Sequence, residues 1–236
     1  MTPYNGTLFP KNRRIDYSAK SEHIHVHTLA KWTLLGLAYI YTTKLIDTLC
    51  HGIFRPAPVA GTIIGLNILA GAAQLCFFIV LYQQFVPKGK RMLEIAARLA
   101  IMGSAVAMLP KLLAMAVLFQ MESLFFFIRH GNEIGTFSPW IAAVLLLVFS
   151  LTFLSDTQFI REKTLRCTFA AGAAGWLCMA GAQSLVVINY FTTGKLVWLA
   201  DLFDAGPIVF VSISSVTFVG LATFYMPFAR QNKNIL

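Results

Sequence analysis

Six apolar runs, each close to twenty residues and divided by short polar segments, set the pattern of this chain. They cover about residues 30–53, the run within 56–87, then 93–120, 138–155, 168–191 and 205–228. A helix needs roughly 20 such residues to cross a hydrocarbon core about 30 Å thick. Inside lipid every backbone polar group must be satisfied internally, so spans of this length are helical. The pattern therefore predicts an all-α, polytopic integral membrane protein with six transmembrane helices. Residues 1–28, with Pro3 and Pro10, are expected to be polar and irregular apart from one short interfacial helix; 29–228 form the membrane domain and 229–236 a short tail. Ser138-Pro139 reads as a helix cap followed by proline at the first helical position, which starts the fourth span there.

Composition supports this class. Of 236 residues, 57% are hydrophobic and 12% charged, with a mean hydropathy of +0.69. Soluble domains carry about a quarter charged residues. The net charge of +9 sits in the segments between the runs. Lys11, Arg13, Arg14, Lys20 and Lys31 precede or open the first span, Lys88, Lys90 and Arg91 follow the second, Arg161, Lys163 and Arg166 the fourth, and Arg230 and Lys233 the sixth. The alternate loops hold only Arg55, Arg129 and Lys195. The positive-inside bias places both termini in the cytoplasm, and so divided a charge makes no face for nucleic acid. The first apolar run starts too late, after too acidic a leader, for a cleavable signal. With no eukaryotic targeting signal visible, a bacterial inner membrane is the expected location.

Charge inside the spans is the candidate chemistry. Lys44, Asp47 and His51 fall at i, i+3 and i+7 in the first span, on one helical face. Ionisable side chains at this depth are costly against lipid and usually mark function. Lys111 lies in the matching half of the third span beside Pro110, whose missing N–H frees a carbonyl near Val106. Asp201 and Asp204 precede the sixth span in the same half. Together these residues suggest a polar substrate site in the outer half of the bundle. Each also has a structural alternative: Lys44 and Lys111 snorkelling to headgroups, Asp47 neutralising Lys44, and Asp201 and Asp204 favouring a helix N-terminus.

Other features add less. His23, His25 and His27 alternate in a metal-like way, without a supporting carboxylate or cysteine. The cysteines, Cys50, Cys76, Cys167 and Cys178, have no CxxC or metal spacing. No cofactor is assigned. Gly61 and Gly65, and Ala170, Ala174, Cys178 and Ala182, have the spacing of close helix–helix contacts. Asn67, Gln74, Gln183 and Asn189 read as interhelical hydrogen bonders. The expected function is a small carrier or channel-like protein. One alternative is a non-catalytic subunit of a larger complex (permease half, sensor module or assembly subunit), docking through the small-residue faces. Another is a redox or metal-binding enzyme subunit using His51 and His130. The bilayer is the expected partner, with other membrane subunits or a homo-oligomer open; substrate and coupling ion are not legible.

Overall fold

The computed structural model describes residues 17–49, 57–85, 91–119, 130–155, 163–192 and 206–230, without the side chains of 17–25, 44, 47–49, 57–58, 85, 163–165 and 206–211. These residues form six helices: α1 (Tyr17–Leu49), α2 (Ala57–Phe85), α3 (Arg91–Leu118), α4 (Gly131–Ser155), α5 (Lys163–Thr192) and α6 (Gly206–Ala229). Five of them, α2 to α6, are long and apolar enough to cross a membrane. The all-helical, multi-pass character read from the hydropathy is thus present, and α1 has a long polar first half.

Two boundaries differ from expectation. Helix α1 begins at Tyr17, well inside the segment expected to be irregular. Hydropathy marks where a helix meets lipid, and Ala19, Lys20 and Glu22 are good helix formers in water. Helix α4 begins at Gly131 rather than Ser138. Its first turn is already closed by the Ile134 N–H on the His130 carbonyl, and Ser138 Oγ donates back to the Ile134 carbonyl instead of capping forward. Pro139 then sits inside the helix, where it withholds a hydrogen bond from the Gly135 carbonyl.

Each helix packs on its neighbours in the chain, and α6 packs back on α1, so the six close into an up-and-down ring. One end, here the base, holds the start of α1 and the end of α6; there His27 Nδ1 lies 3.4 Å from the Phe228 carbonyl and Arg98 reaches the Tyr82 hydroxyl at 3.0 Å. At the opposite end, the rim, Phe137 stacks edge-on to Tyr190 at 5.4 Å. Helices α5 and α6 approach closely, a Cβ on Gly220 falling 2.6 Å from the Gly175 Cα, and so do α1 and α2 at Gly36 and Ala70. The outward stripes are apolar and uncovered, Leu69 being 65% and Met92 71% exposed. A bilayer, unlike water, solvates such a surface without cost.

The ring's interior is uneven along its axis. The contiguous core occupies the base half: Val26 to Leu37 of α1, Phe77 to Leu81 of α2, Leu93 to Ala100 of α3, Leu146 to Phe153 of α4, Phe169 and Trp176 of α5, and Leu221 to Phe228 of α6. Rings from alternate helices meet across the axis, Phe78 with Phe149 at 5.1 Å, Phe77 with Tyr225 at 5.1 Å and Phe149 with Phe224 at 5.8 Å. Edge-to-face pairs of this kind add about 0.5–1.5 kcal/mol each beyond area burial. Toward the rim the buried residues are small, such as Gly71, Ala116, Ser138, Ala142 and Ala180.

Candidate functional site

The site is built from the inward face of two helices. Residues 62, 66, 69, 76, 79 and 83 make the exposed stripe of α2, which leaves Asn67, Gly71, Gln74 and Phe78 on the opposite side. On α3 the exposed stripe runs through 91, 95, 98, 102, 105, 109 and 112, and Lys111 lies opposite it, one heptad from the buried Ser104. Lys111 Nζ donates to the Asn67 carbonyl at 3.2 Å. It lies over Gly71, where a Cβ would meet Nζ at 3.4 Å and Met108 Cγ at 3.0 Å. The absent side chain at Gly71 makes room chiefly for Met108, while the lysine amine would meet a Cβ there at ordinary contact distance. Pro110, one residue earlier, denies the Val106 carbonyl its usual helical donor.

At this notch and below it, toward the base, several inward polar atoms have no hydrogen-bond partner. Asn67 Oδ1, Gln74 Nε2, Ser104 Oγ, Trp176 Nε1 and Tyr225 Oη are all in this state. Asn67 and Gln74, expected as interhelical hydrogen bonders, therefore leave these atoms unused. The Gln74 side chain comes up beside the Tyr225 hydroxyl, without either Nε2 or Oη reaching hydrogen-bonding geometry. Tyr225 is fully buried, while Gln74 is half-buried. A buried hydroxyl or amide left without a partner costs about 1–3 kcal/mol, so these groups oppose folding of the chain by itself.

Of the six candidate residues, Lys111 is the one whose side chain the structure describes. Lys44 and Asp47 lie within α1, and their side chains fall outside the described residues; His51, Asp201 and Asp204 lie outside them altogether. What sequence reasoning missed is Tyr225, a tyrosine among many span aromatics; its signal was only the heptad step from Phe218, itself packed on Tyr41 at 5.3 Å.

Other charged groups lie away from this interior. Arg98 sits on the exposed stripe of α3, 2.6 Å from Glu94 and 5.4 Å over the Tyr82 ring. It is a surface cluster near the base and contributes little to stability in that setting. His130 lies 3.9 Å from Glu133 at the start of α4. Among the described residues no three of His, Cys, Asp and Glu come together, and the side chains of His23 and His25 lie outside that set. Most of the glycines on α2 and α5 face neighbouring helices, while Gly181 of α5 has nothing within 4 Å of its Cβ position. Gly61 and Gly65 meet Leu118 and Met115 of α3, and Gly172 and Gly175 meet Phe224 and Gly220 of α6, while Ala170 and Ala174 are exposed.

No protein-family model, no curated protein and no solved structure matches this chain.

Proposed function

We propose that the chain is a small integral membrane carrier or channel-like protein, crossing the bilayer six times with both termini cytoplasmic and holding a polar binding site in the outer half of the bundle. The observation that supports it is the uneven interior: aromatic rings meeting across the base half, small buried residues toward the rim, and Lys111 seated on the Asn67 carbonyl above the rings. In a membrane that inequality makes a vestibule open to one face, with the base as the inner side on the positive-inside bias.

Polar residues recur at the inward register above the core. Lys111 follows the buried Ser104 by seven residues, Gln183 follows Trp176 by the same step, and Ser214 precedes Leu221 by it. Position 44 continues the buried register of Thr33 and Leu37 in α1. In this reading Lys44 and Lys111 attract an anionic group. Asp47 serves as counter-ion or proton acceptor, with His51, Asp201 and Asp204 as polar contacts nearer the rim. Protonation, or a solute displacing one partner, then couples binding to a change in the charge pair.

Reconstitution into liposomes tests the reading. Osmotic swelling or uptake across a panel of labelled organic acids, amino acids and sugars should show flux with the wild-type chain and a loss of at least tenfold in Lys44→Ala and Lys111→Ala. Reporter fusions after residue 90 and residue 236 should report cytoplasm, and a fusion within 120–129 the outside. Normal flux in both lysine variants, or the opposite reporter pattern, ends the proposal. Gly61, Gly65, Gly172 and Gly175 are filled internally, so among the described small residues the docking alternative keeps the exposed Ala170, Ala174 and Gly181 of α5.

A further inference from the structure

The boundary between the polar and aromatic halves of the ring carries one more assignment. We infer that Gln74 and Tyr225 form a binding site for an oxygen acceptor, the carbonyl or carboxylate of a small organic molecule with an apolar body. The inference rests on the carrier reading for the route by which such a molecule arrives.

Three observations carry it. The Tyr225 hydroxyl and the Gln74 Nε2 are each buried without a partner, and the two side chains lie beside each other. Gln74 Nε2 can only donate, and the phenol, whose oxygen also accepts, still has its O–H to give, so between the two atoms donors are in excess and what completes the pair is an acceptor. Second, the two residues come from α2 and α6, which are separated in the ring by α1, so the pair spans the interior and not a helix seam. Third, the surroundings are rings: Tyr225 stands 5.1 Å from Phe77, 5.1 Å from Phe224 and 6.3 Å from Phe78. Phenylalanine at 225 would fill the same space without a stranded hydroxyl, and leucine at 74 without a stranded amide. Long side chains on a helix lean toward its N-terminus, which for α6 is the rim. The phenol thus tilts toward the polar half, where a molecule entering from the rim meets it before the aromatic seal.

The probes are benzoate and acetophenone, which share a ring and an oxygen acceptor and differ in charge. The full chain in lipid nanodiscs is melted by intrinsic fluorescence while each probe is titrated. At least one probe should raise the Tm saturably, and Tyr225→Phe and Gln74→Leu should each weaken that probe about tenfold or more. Without probe, Tyr225→Phe should melt no lower than wild type, because it loses no internal hydrogen bond. A stronger effect of benzoate assigns a carboxylate, and of acetophenone a neutral carbonyl. No shift with either probe in wild type, equal binding by both variants, or a lowered Tm of unliganded Tyr225→Phe would overturn the assignment. Solute flux that survives in Tyr225→Phe removes this site but leaves the carrier reading intact. Probe binding without any flux does the reverse.

Discussion

Replacing Gly220 by alanine tests the ring itself. The added methyl would stand 2.6 Å from the Gly175 Cα and 2.8 Å from both the Ala171 carbonyl oxygen and the Gly175 nitrogen. Carbon atoms pack at about 3.5–4.0 Å, so α5 and α6 must part by roughly 1 Å. No rotamer change relieves this, because every atom in the way is backbone. Overpacking of this kind costs about 1–3 kcal/mol. A gap of that size also forfeits a quarter to a half of the dispersion well for contacts along the crossing. The better helix propensity of alanine returns up to about 1 kcal/mol. The net is a loss of about 1–2 kcal/mol, or roughly 2–8 °C in Tm for a chain of this size.

Gly181→Ala is the matched control. It makes the same chemical change on α5, but nothing lies within 4 Å of its Cβ position. There the substitution should be neutral or stabilising by about 0.5–1 kcal/mol. Thermal unfolding of both variants in one detergent, read by size-exclusion recovery after heating, gives the comparison. If Gly220→Ala and Gly181→Ala move Tm in the same direction by similar amounts, α5 and α6 do not cross at Gly175 and Gly220, and the ring as described is wrong.

Three further outcomes follow from the same packing. Phe78→Ala removes a ring that touches both Phe77 and Phe149; it should cost about 3–5 kcal/mol and let small solutes leak from loaded liposomes. Trp140 Nε1 donates to Ser184 Oγ at 2.9 Å between α4 and α5, so a double-mutant cycle with Trp140→Phe and Ser184→Ala should return a coupling near 0.6 kcal/mol and below about 1.7. Cys76 lies on the outward stripe of α2 and Cys167 near the start of α5, both exposed. A membrane-impermeant maleimide should label Cys167 only when the cytoplasmic face is open, and Cys76 only after SDS, because the thiolate needs water.

The fold was legible to the extent that lipid writes it into the sequence. Runs of apolar residues marked all six helices, and in α2 to α6 they gave the lipid-crossing length directly. Ends set by local hydrogen bonding were harder. Gly131-Asn132-Glu133 looks like a loop because glycine and asparagine are poor helix formers. The helix starts there because the Ile134 N–H finds the His130 carbonyl and the chain is already turning before Pro139. The polar start of α1 was missed for a different reason: it carries no long apolar run, and a span is recognised by such a run.

Of the site, Lys111 was legible because a charge beside a proline is conspicuous in an apolar run. Its seat on Asn67 was not, since it depends on which face of α2 meets α3, and many alanines and glycines in α2 offer the same composition. Tyr225 was harder still. The chain holds 20 phenylalanines and 7 tyrosines, and aromatic side chains suit lipid, interface and core alike. Only the exposed stripes of the folded helices separate the inward rings from the outward ones.

That separation bears on what a ring of six helices, five of them of membrane-crossing length, can do. Phe78 can meet Phe149, Phe149 meet Phe224 and Phe77 meet Tyr225 across the axis only if the base half of the ring is narrow enough for side chains to bridge it. Toward the rim the described buried residues are small, so among them the large side chains that meet across the axis are confined to the base half. Hydrocarbon cannot complete the stranded atoms of Asn67 and Gln74, which would stay without hydrogen bonds against it. Water or a polar solute can satisfy them. The stranded donors at Gln74 and Tyr225 sit where the two halves join, the depth at which a solute would have to give up its last water and where a hydrogen bond offered by the protein discriminates most strongly between solutes that can accept it and those that cannot.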